Sequence, residues 1–132
     1  MTLSHTALAA LVQHARDASP DECCGLLIGR GERIDEARPA RNVADRPRTR
    51  FVIDPRDHVK AIRGARAGGL DVVGYYHSHP RSAAEPSETD RAEAAYPGQL
   101  FLIVGLGADP PDVRLYRFAD GNFLQVPFVT VG

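Results

Sequence analysis

Two histidines at the end of an apolar stretch offer the clearest potential for chemistry in this sequence. His77 and His79 are separated only by Ser78, and they follow the largely apolar residues 70–76. In an extended backbone, residues i and i+2 point to the same face, roughly 7 Å apart along the strand. Two imidazoles placed in this way can bind one metal ion that accepts nitrogen ligands, such as zinc. Two ordinary histidines at the edge of a strand remain the alternative.

Three further polar residues could complete such a site. Asp90 can be the third ligand, although Ser87 and Asp90, three residues apart, also fit a helix-capping arrangement. Glu22 opens an apolar stretch, where desolvation would raise the pKa of its carboxyl group and suit it to act as a general base. A solvated acidic residue at the entrance of a strand is the alternative for Glu22.

Helices and strands alternate along the chain and would have to position these residues. Ser4 and Asp54-Pro55 are typical helix starts, while Ser19-Pro20 and Gly68-Gly69 are typical ends. Val59, Ile62 and Ala65 form the apolar stripe of the second predicted helix. A short third helix is predicted over residues 87–95. Strands are predicted over residues 23–28, 33–38, 49–53, 70–77, 100–106, 113–118 and 123–128. The fold class is therefore α/β (α+β), with helices packed on a mixed sheet.

The composition narrows the class of protein. A chain of 132 residues predicts one domain. Sixteen basic and 17 acidic residues give a net charge of −1, which argues against a nucleic-acid binder. The sequence contains no apolar run of the roughly 20 residues that a membrane helix needs, and no secretion signal is recognisable. Cys23 and Cys24 are adjacent and cannot build a disulfide framework, so a cytoplasmic location is predicted.

The complete set of motifs resembles the JAMM metallopeptidases, also called MPN-plus domains. The stretch PDECCGLLIG, which contains Glu22, resembles the glutamate strand of that family. VVGYYHSHP resembles its histidine strand, and PSETD resembles the turn that carries its serine and aspartate. The resemblance extends from about residue 20 to residue 106, and the spacing of the motifs is restrictive.

This resemblance implies both a fold and a site. The fold is a single MPN/JAMM domain over residues 1–132, a curved mixed sheet flanked by helices and similar to the cytidine deaminases. His77, His79 and Asp90 would hold one Zn²⁺ per chain. Glu22 would be the general base for a zinc-bound water, and Ser87 would donate a hydrogen bond to the developing oxyanion.

The resemblance also implies a substrate class. Compact relatives hydrolyse a peptide or isopeptide bond after the C-terminal Gly-Gly of a ubiquitin-like or sulfur-carrier protein. Long insertions between the motifs are missing, which favours a small carrier protein over a ubiquitin chain. A non-catalytic MPN scaffold and a zinc hydrolase of a small amide are the alternatives.

The sequence leaves the oligomeric state open. It also leaves open the role of the two cysteines, although we expect both to be small buried hydrophobic residues. The Arg-rich loop 38–50 could dock an acidic partner or simply be solvated.

Overall fold

Eight strands form one sheet in the computed structural model, which describes residues 1–93 and 99–132. The strands are β1 (Thr2–Ser4), β2 (Cys24–Arg30), β3 (Arg33–Ala40), β4 (Asp71–His79), β5 (Leu100–Gly105), β6 (Asp112–Ala119), β7 (Asn122–Val126) and β8 (Val129–Val131). The helices are α1 (His5–Ala18), α2 (Pro55–Ala67) and α3 (Glu88–Glu93). The strand order across the sheet is β7-β6-β5-β4-β2-β3-β1-β8.

The pairing of β2 with β4 determines where the site forms. These two central strands are antiparallel, and Cys24 at the start of β2 lies opposite His77 near the end of β4. The two strands stay in contact one residue beyond this pair, where the backbone N–H of Ser78 donates to the carbonyl oxygen of Cys23 over 3.2 Å. Glu22, the residue before Cys23, lines the same pocket as His79. The pairing therefore brings together two motifs that are far apart in the sequence.

Helices cover the two faces of the sheet around these strands. α1 buries Ala7, Leu11 and Ala15 against one face, in a core that includes Leu27 of β2. α2 buries Ala61 and Ala65 against the other face. Neighbouring residues of a strand point to opposite faces, so β2 needs an apolar residue at nearly every position. No helix among the described residues is long and apolar enough to span a bilayer.

Both predicted helix starts are confirmed. Ser4 caps α1 by accepting the backbone N–H of Ala7 over 3.0 Å. Asp54 caps α2 by accepting the N–H of Arg56 over 2.9 Å, and Pro55 begins the helix. These caps bond amide groups that would otherwise lack a partner at the start of each helix.

The prediction of a strand over residues 49–53 is wrong. The structure has only an isolated bridge between Asn42 and Ile53 there. The side chain of Asn42 bonds the backbone of Arg50 and Val52 and takes the place of a partner strand. The predicted stripe of α2 is wrong at Val59, which is 47% exposed.

Two short strands differ from the predicted elements, and the end of one predicted helix cannot be compared. β1 and β8 have three residues each and were not predicted, because three residues are too few to show an alternation. The described part of α3 ends at Glu93. The predicted last positions of that helix, 94 and 95, lie outside the described residues.

Candidate metal centre

Two imidazoles and one carboxylate converge at the end of β4. Asp90 Oδ1 lies 3.1 Å from His77 Nε2, and Asp90 Oδ2 lies 3.1 Å from His79 Nε2. One ligand atom from each of the three residues lies within 4.8 Å of the other two. All three side chains are buried, and Asp90 arrives from the first turn of α3. The structure therefore brings together the three residues that the sequence predicted as ligands.

The hydrogen bond on the far side of the His79 ring prepares its other nitrogen for a cation. His79 Nδ1 lies 2.9 Å from the carbonyl oxygen of Ala83, which can only accept a hydrogen bond. The proton of the neutral ring is therefore on Nδ1, and a lone pair on Nε2 faces the carboxylate of Asp90. The Nε2 lone pair and the carboxylate oxygen are both hydrogen-bond acceptors, so a cation between them would stabilise the arrangement. A carbonyl bonded to the outer nitrogen is also the usual support of a metal-binding histidine.

His77 supplies an independent sign that a ligand is accommodated here. The residue is 2% exposed, yet among the described residues neither of its ring nitrogens has a hydrogen-bond partner. The 3.1 Å approach of Nε2 to Asp90 does not have the angles of a hydrogen bond. Phe51 stacks on the ring, with centroids 4.4 Å apart and planes 22° apart. A buried polar atom without a partner is costly, and a metal ion at Nε2 would remove that cost. The residues therefore fit a zinc ion.

The charges in the cluster suit a cation. Burial raises the pKa of Asp90, but the neighbouring imidazoles of His77 and His79 and the backbone N–H of Ser87 outweigh that effect, and the net pKa is lowered. Burial lowers the pKa of His77. For His79, burial acts in the same direction, but the hydrogen bonds that the protonated ring would make with Asp90 and with the carbonyl of Ala83 prevail, and its pKa is raised. Without a metal, an ionised carboxylate thus lies between two imidazole rings, with one oxygen close to each ring.

The capping arrangement of Ser87 and Asp90 is also present. The backbone N–H of Asp90 donates to Ser87 Oγ over 3.0 Å, and the N–H of Ser87 donates to Asp90 Oδ2 over 2.8 Å. This is a reciprocal capping box. The cap and the contact with the histidines occur together, because each carboxylate oxygen can accept more than one bond. The cap fixes the carboxylate that faces the histidines.

Glu22 lies beside the cluster with an unsatisfied carboxylate. Its side chain is 6% exposed, and Oε1 has no hydrogen-bond partner among the described residues. Burial raises its pKa to about 7, a shift that His79 opposes and Asp90 increases. Glu22, His79 and Ser87 line one open pocket of about 490 Å³. A carboxyl group with a pKa near neutrality can both take up and release a proton at physiological pH.

The metal-free Glu22→Gln variant is expected to gain stability over the wild type as the pH rises. A carboxyl pKa raised from 4.5 to about 7 in the folded state favours the protonated form. This stabilising preference is complete below about pH 4.5 and is lost as the pH rises through 7. Gln has no such dependence. We expect the difference in free energy of unfolding to grow by on the order of 2 kcal/mol between about pH 5 and pH 8, in urea titrations with chelator. A difference that does not change with pH would contradict the buried carboxyl.

Cys23 and Cys24 are free thiols that pack into opposite faces of the sheet. They cannot both reach the cluster, as expected for adjacent strand residues. Burial raises the pKa of Cys23 to about 11 and that of Cys24 to about 12, so neither is a thiolate at neutral pH.

The native protein is therefore expected to resist thiol reagents. A thiol-reactive dye at neutral pH should label neither Cys23 nor Cys24 within the time that labels both in denaturant, as counted by intact mass. Rapid labelling of the folded protein would show that a thiol is reactive and would reopen a role for it.

The Arg-rich loop 38–50 is not one basic patch. Arg38 pairs with Glu36 over 3.0 Å, and Arg41 pairs with Asp54 over 2.9 Å, so both guanidinium groups have acidic partners. Arg48, by contrast, lines the pocket that contains Glu22. Arg38 and Arg41 are therefore paired with acidic side chains, whereas Arg48 faces the pocket of the site.

Sequence reasoning missed the residues that support the cluster. Phe51, which stacks on His77, was assigned to a strand with no functional role. Ala83, whose carbonyl orients His79, gives no signal in the sequence, because any residue has a carbonyl. The same holds for Asn42, whose contacts become apparent only from the fold.

Comparisons with known proteins show the family of the chain. The profile of the family described as prokaryotic homologs of the JAB domain matches residues 4–119. Desampylase of Haloferax volcanii is 40% identical over 126 residues, which cover 87% of this chain and 87% of that protein. CysO-cysteine peptidase of Mycobacterium tuberculosis is 36% identical over 124 residues, which cover 89% of this chain and 82% of that protein.

Solved structures agree with the fold. One described as a JAMM metalloprotease-like zinc site in the proteasome and signalosome has a TM-score of 0.65 at 23% identity, covering 100% of this chain and 98% of that one. At this identity the likeness shows the fold alone, and it confirms the predicted JAMM/MPN architecture. The likeness to cytidine deaminases stays a prediction. With a family profile that covers most of its length, and a desampylase and a peptidase among its relatives, the chain belongs to the prokaryotic homologs of the JAB domain and is a hydrolase of the JAMM type.

Proposed function

We propose that this chain is a zinc-dependent peptidase. It hydrolyses the peptide or isopeptide bond after the C-terminal Gly-Gly of a small ubiquitin-like or sulfur-carrier protein. The observation that carries the proposal is the convergence of two histidines and an aspartate beside a buried glutamate with an unpartnered oxygen, at the edge of an open pocket. Such a set of donors suits a catalytic zinc, which takes three protein ligands and leaves one position for chemistry.

Three side chains would hold the metal in this proposal. His77 and His79 would bind through Nε2, and Asp90 would bind through a carboxylate oxygen. When bound, Zn²⁺ would supply Lewis-acid polarisation of the scissile carbonyl and would acidify water. The carbonyl of Ala83 keeps the His79 ring in the tautomer that this role requires.

Glu22 would move the protons of the reaction. Its carboxylate would take a proton from water during attack and deliver it to the leaving amine. A pKa of about 7, raised mainly by burial, suits both halves of that transfer near neutral pH. A carboxylate hydrogen-bonded within the fold would be less available, whereas Oε1 has no such partner among the described residues.

Ser87 would stabilise the negative charge that develops on the carbonyl oxygen. Its Oγ already accepts the N–H of Asp90, so the hydroxyl proton remains available for donation. The residue is exposed and lines the same pocket as His79. One such donor is worth roughly 10²–10³ in turnover in enzymes that use it.

The names of the relatives support the substrate class. One is a desampylase and one a CysO-cysteine peptidase, which indicates conjugates or adducts of small modifier and carrier proteins. An open pocket is compatible with the threading of a narrow Gly-Gly tail. The C-terminal Gly-Gly, which the family resemblance implies, and the cytoplasmic location, which the sequence predicts, remain predictions.

The proposal is tested by offering candidate substrates to the zinc-loaded protein. Each small protein of the source genome that ends in Gly-Gly is prepared in three forms: extended by a peptide, joined to a lysine side chain, and joined to cysteine. Mass spectrometry then identifies the cleaved bond. The chelated protein is the control.

We expect at least one carrier to be released with Gly-Gly at its new end, only when zinc is present. No cleavage of any carrier form would contradict the proposal and would favour a scaffold. Cleavage of small amides alone would instead identify a small-molecule hydrolase.

A further inference from the structure

Asn42 lies between β3 and α2 and has every hydrogen-bonding position of its amide occupied. Its Nδ2 donates to the carbonyl oxygens of Glu22 over 3.0 Å and Arg50 over 3.1 Å. Its Oδ1 accepts the N–H groups of Ala44 over 3.1 Å and Val52 over 3.0 Å. A side-chain amide offers two donors and two acceptor positions, so this one is saturated. All four partners are backbone groups, which means that Asn42 fixes chain positions.

The first of the two chain segments that Asn42 fixes is the backbone of Glu22. Glu22 precedes β2, so the sheet does not hold it directly. Its carbonyl oxygen accepts from Asn42, and its N–H donates to the carbonyl of Pro47 over 2.7 Å. Both polar groups of its backbone are thus held by the segment that contains Asn42. Since Oε1 has no partner among the described residues, the backbone and packing direct the carboxylate.

The second chain segment that Asn42 fixes is the backbone on both sides of Phe51. Asn42 bonds the carbonyl of Arg50 and the N–H of Val52, the peptide groups on the two sides of Phe51. The ring of Phe51 is stacked on the ring of His77 at 4.4 Å. Asn42 therefore connects the backbone of the glutamate to the residue that packs on a histidine of the cluster.

We infer that Asn42 is a positioning residue, which sets the distance between the Glu22 carboxylate and the ring of His77 through one saturated amide. Its effect on turnover rests on the proposed function, whereas its effect on the two backbone positions does not. Misplacing a catalytic group by about 1 Å can lower turnover by on the order of 10²-fold.

Asn42→Asp is the sharpest variant. Aspartate has nearly the same shape and keeps both acceptor positions, so the N–H groups of Ala44 and Val52 retain a partner. It loses both donors and places an oxygen against the carbonyl oxygens of Glu22 and Arg50. Asn122→Asp is the matched control, because Nδ2 of Asn122 donates to a carbonyl oxygen, that of Asp120, in an exposed turn far from the cluster along the chain.

Two readouts are combined. Amide hydrogen exchange in the metal-free protein should accelerate at least 10-fold at Glu22 in Asn42→Asp, while amides within β4 keep their protection. With zinc bound at one per chain, kcat on the cleaved carrier should fall roughly 10- to 100-fold with KM within about 2-fold. Asn122→Asp should change neither quantity.

Unchanged exchange at Glu22, or faster exchange with wild-type kcat, would overturn the role of Asn42. If the wild type cleaves no carrier, the proposed function fails, and the exchange experiment alone decides whether Asn42 holds this backbone. If Asn42→Asp does not fold, the small neutral variant Asn42→Ser is measured in the same way with the same criteria.

Discussion

Asp90→Ala is expected to abolish zinc binding while the protein stays folded. The two remaining histidines make a weak site, because a catalytic zinc in proteins usually has three protein ligands. Metal analysis after dialysis should give about one zinc per wild-type chain and on the order of a tenth or less for the variant. Zinc should also raise the melting temperature of the wild type only, since a ligand stabilises the state that binds it.

Ser87→Ala is the matched control for this variant. Ser87→Ala removes the Oγ that accepts the N–H of Asp90, but the backbone N–H at position 87 still donates to the Asp90 carboxylate, which keeps facing the histidines. We expect it to retain zinc. If Asp90→Ala binds zinc as fully as the wild type, Asp90 is only a capping residue and the proposed ligand set is wrong.

Glu22→Gln is expected to lower kcat by roughly 10²–10⁴-fold with one zinc still bound. Glutamine has nearly the same shape and can hydrogen-bond to water, but it cannot accept the proton. KM should change little, because the carboxylate acts on water and on the leaving group rather than on the bound substrate. The initial cleavage rate is measured as a function of carrier concentration to give kcat and KM, and bound zinc is determined in the same sample.

Asp21→Asn removes a neighbouring negative charge and is the control for Glu22→Gln. It should retain wild-type turnover, since no role in the site follows from its contacts. Near wild-type kcat in zinc-loaded Glu22→Gln would remove Glu22 from the mechanism. Loss of zinc in that variant would mean that Glu22 contributes to metal binding instead.

Of the five candidate residues, only His77 and His79 could be placed together from strand geometry alone. His77 and His79 face one side of β4 through the two-residue period of a strand, which sequence alone reveals. Their proximity to Glu22 could not be derived from local rules. It depends on the antiparallel register of β2 on β4, and only the family resemblance anticipated it.

The supporting residues could not be predicted, for different physical reasons. Phe51 and Asn42 lie in a segment that is held by one isolated bridge and by side-chain bonds of Asn42 instead of a regular strand pairing, so its apolar residues imitate a strand in the sequence. Val59 has an apolar side chain at helical spacing and is nevertheless exposed, because the small residues Ala61 and Ala65 provide the packed face of α2. The pattern of hydrophobic residues in the sequence does not reveal which of them are buried by tertiary packing.

The central claim is that zinc at His77, His79 and Asp90 drives cleavage of a carrier protein. It is tested most directly by titrating metal-free protein with zinc and measuring bound zinc and the initial cleavage rate in the same samples. The account predicts that both rise together and saturate at about one zinc per chain. Cleavage by the metal-free protein, or a site filled with zinc that cleaves no carrier ending in Gly-Gly, would contradict it.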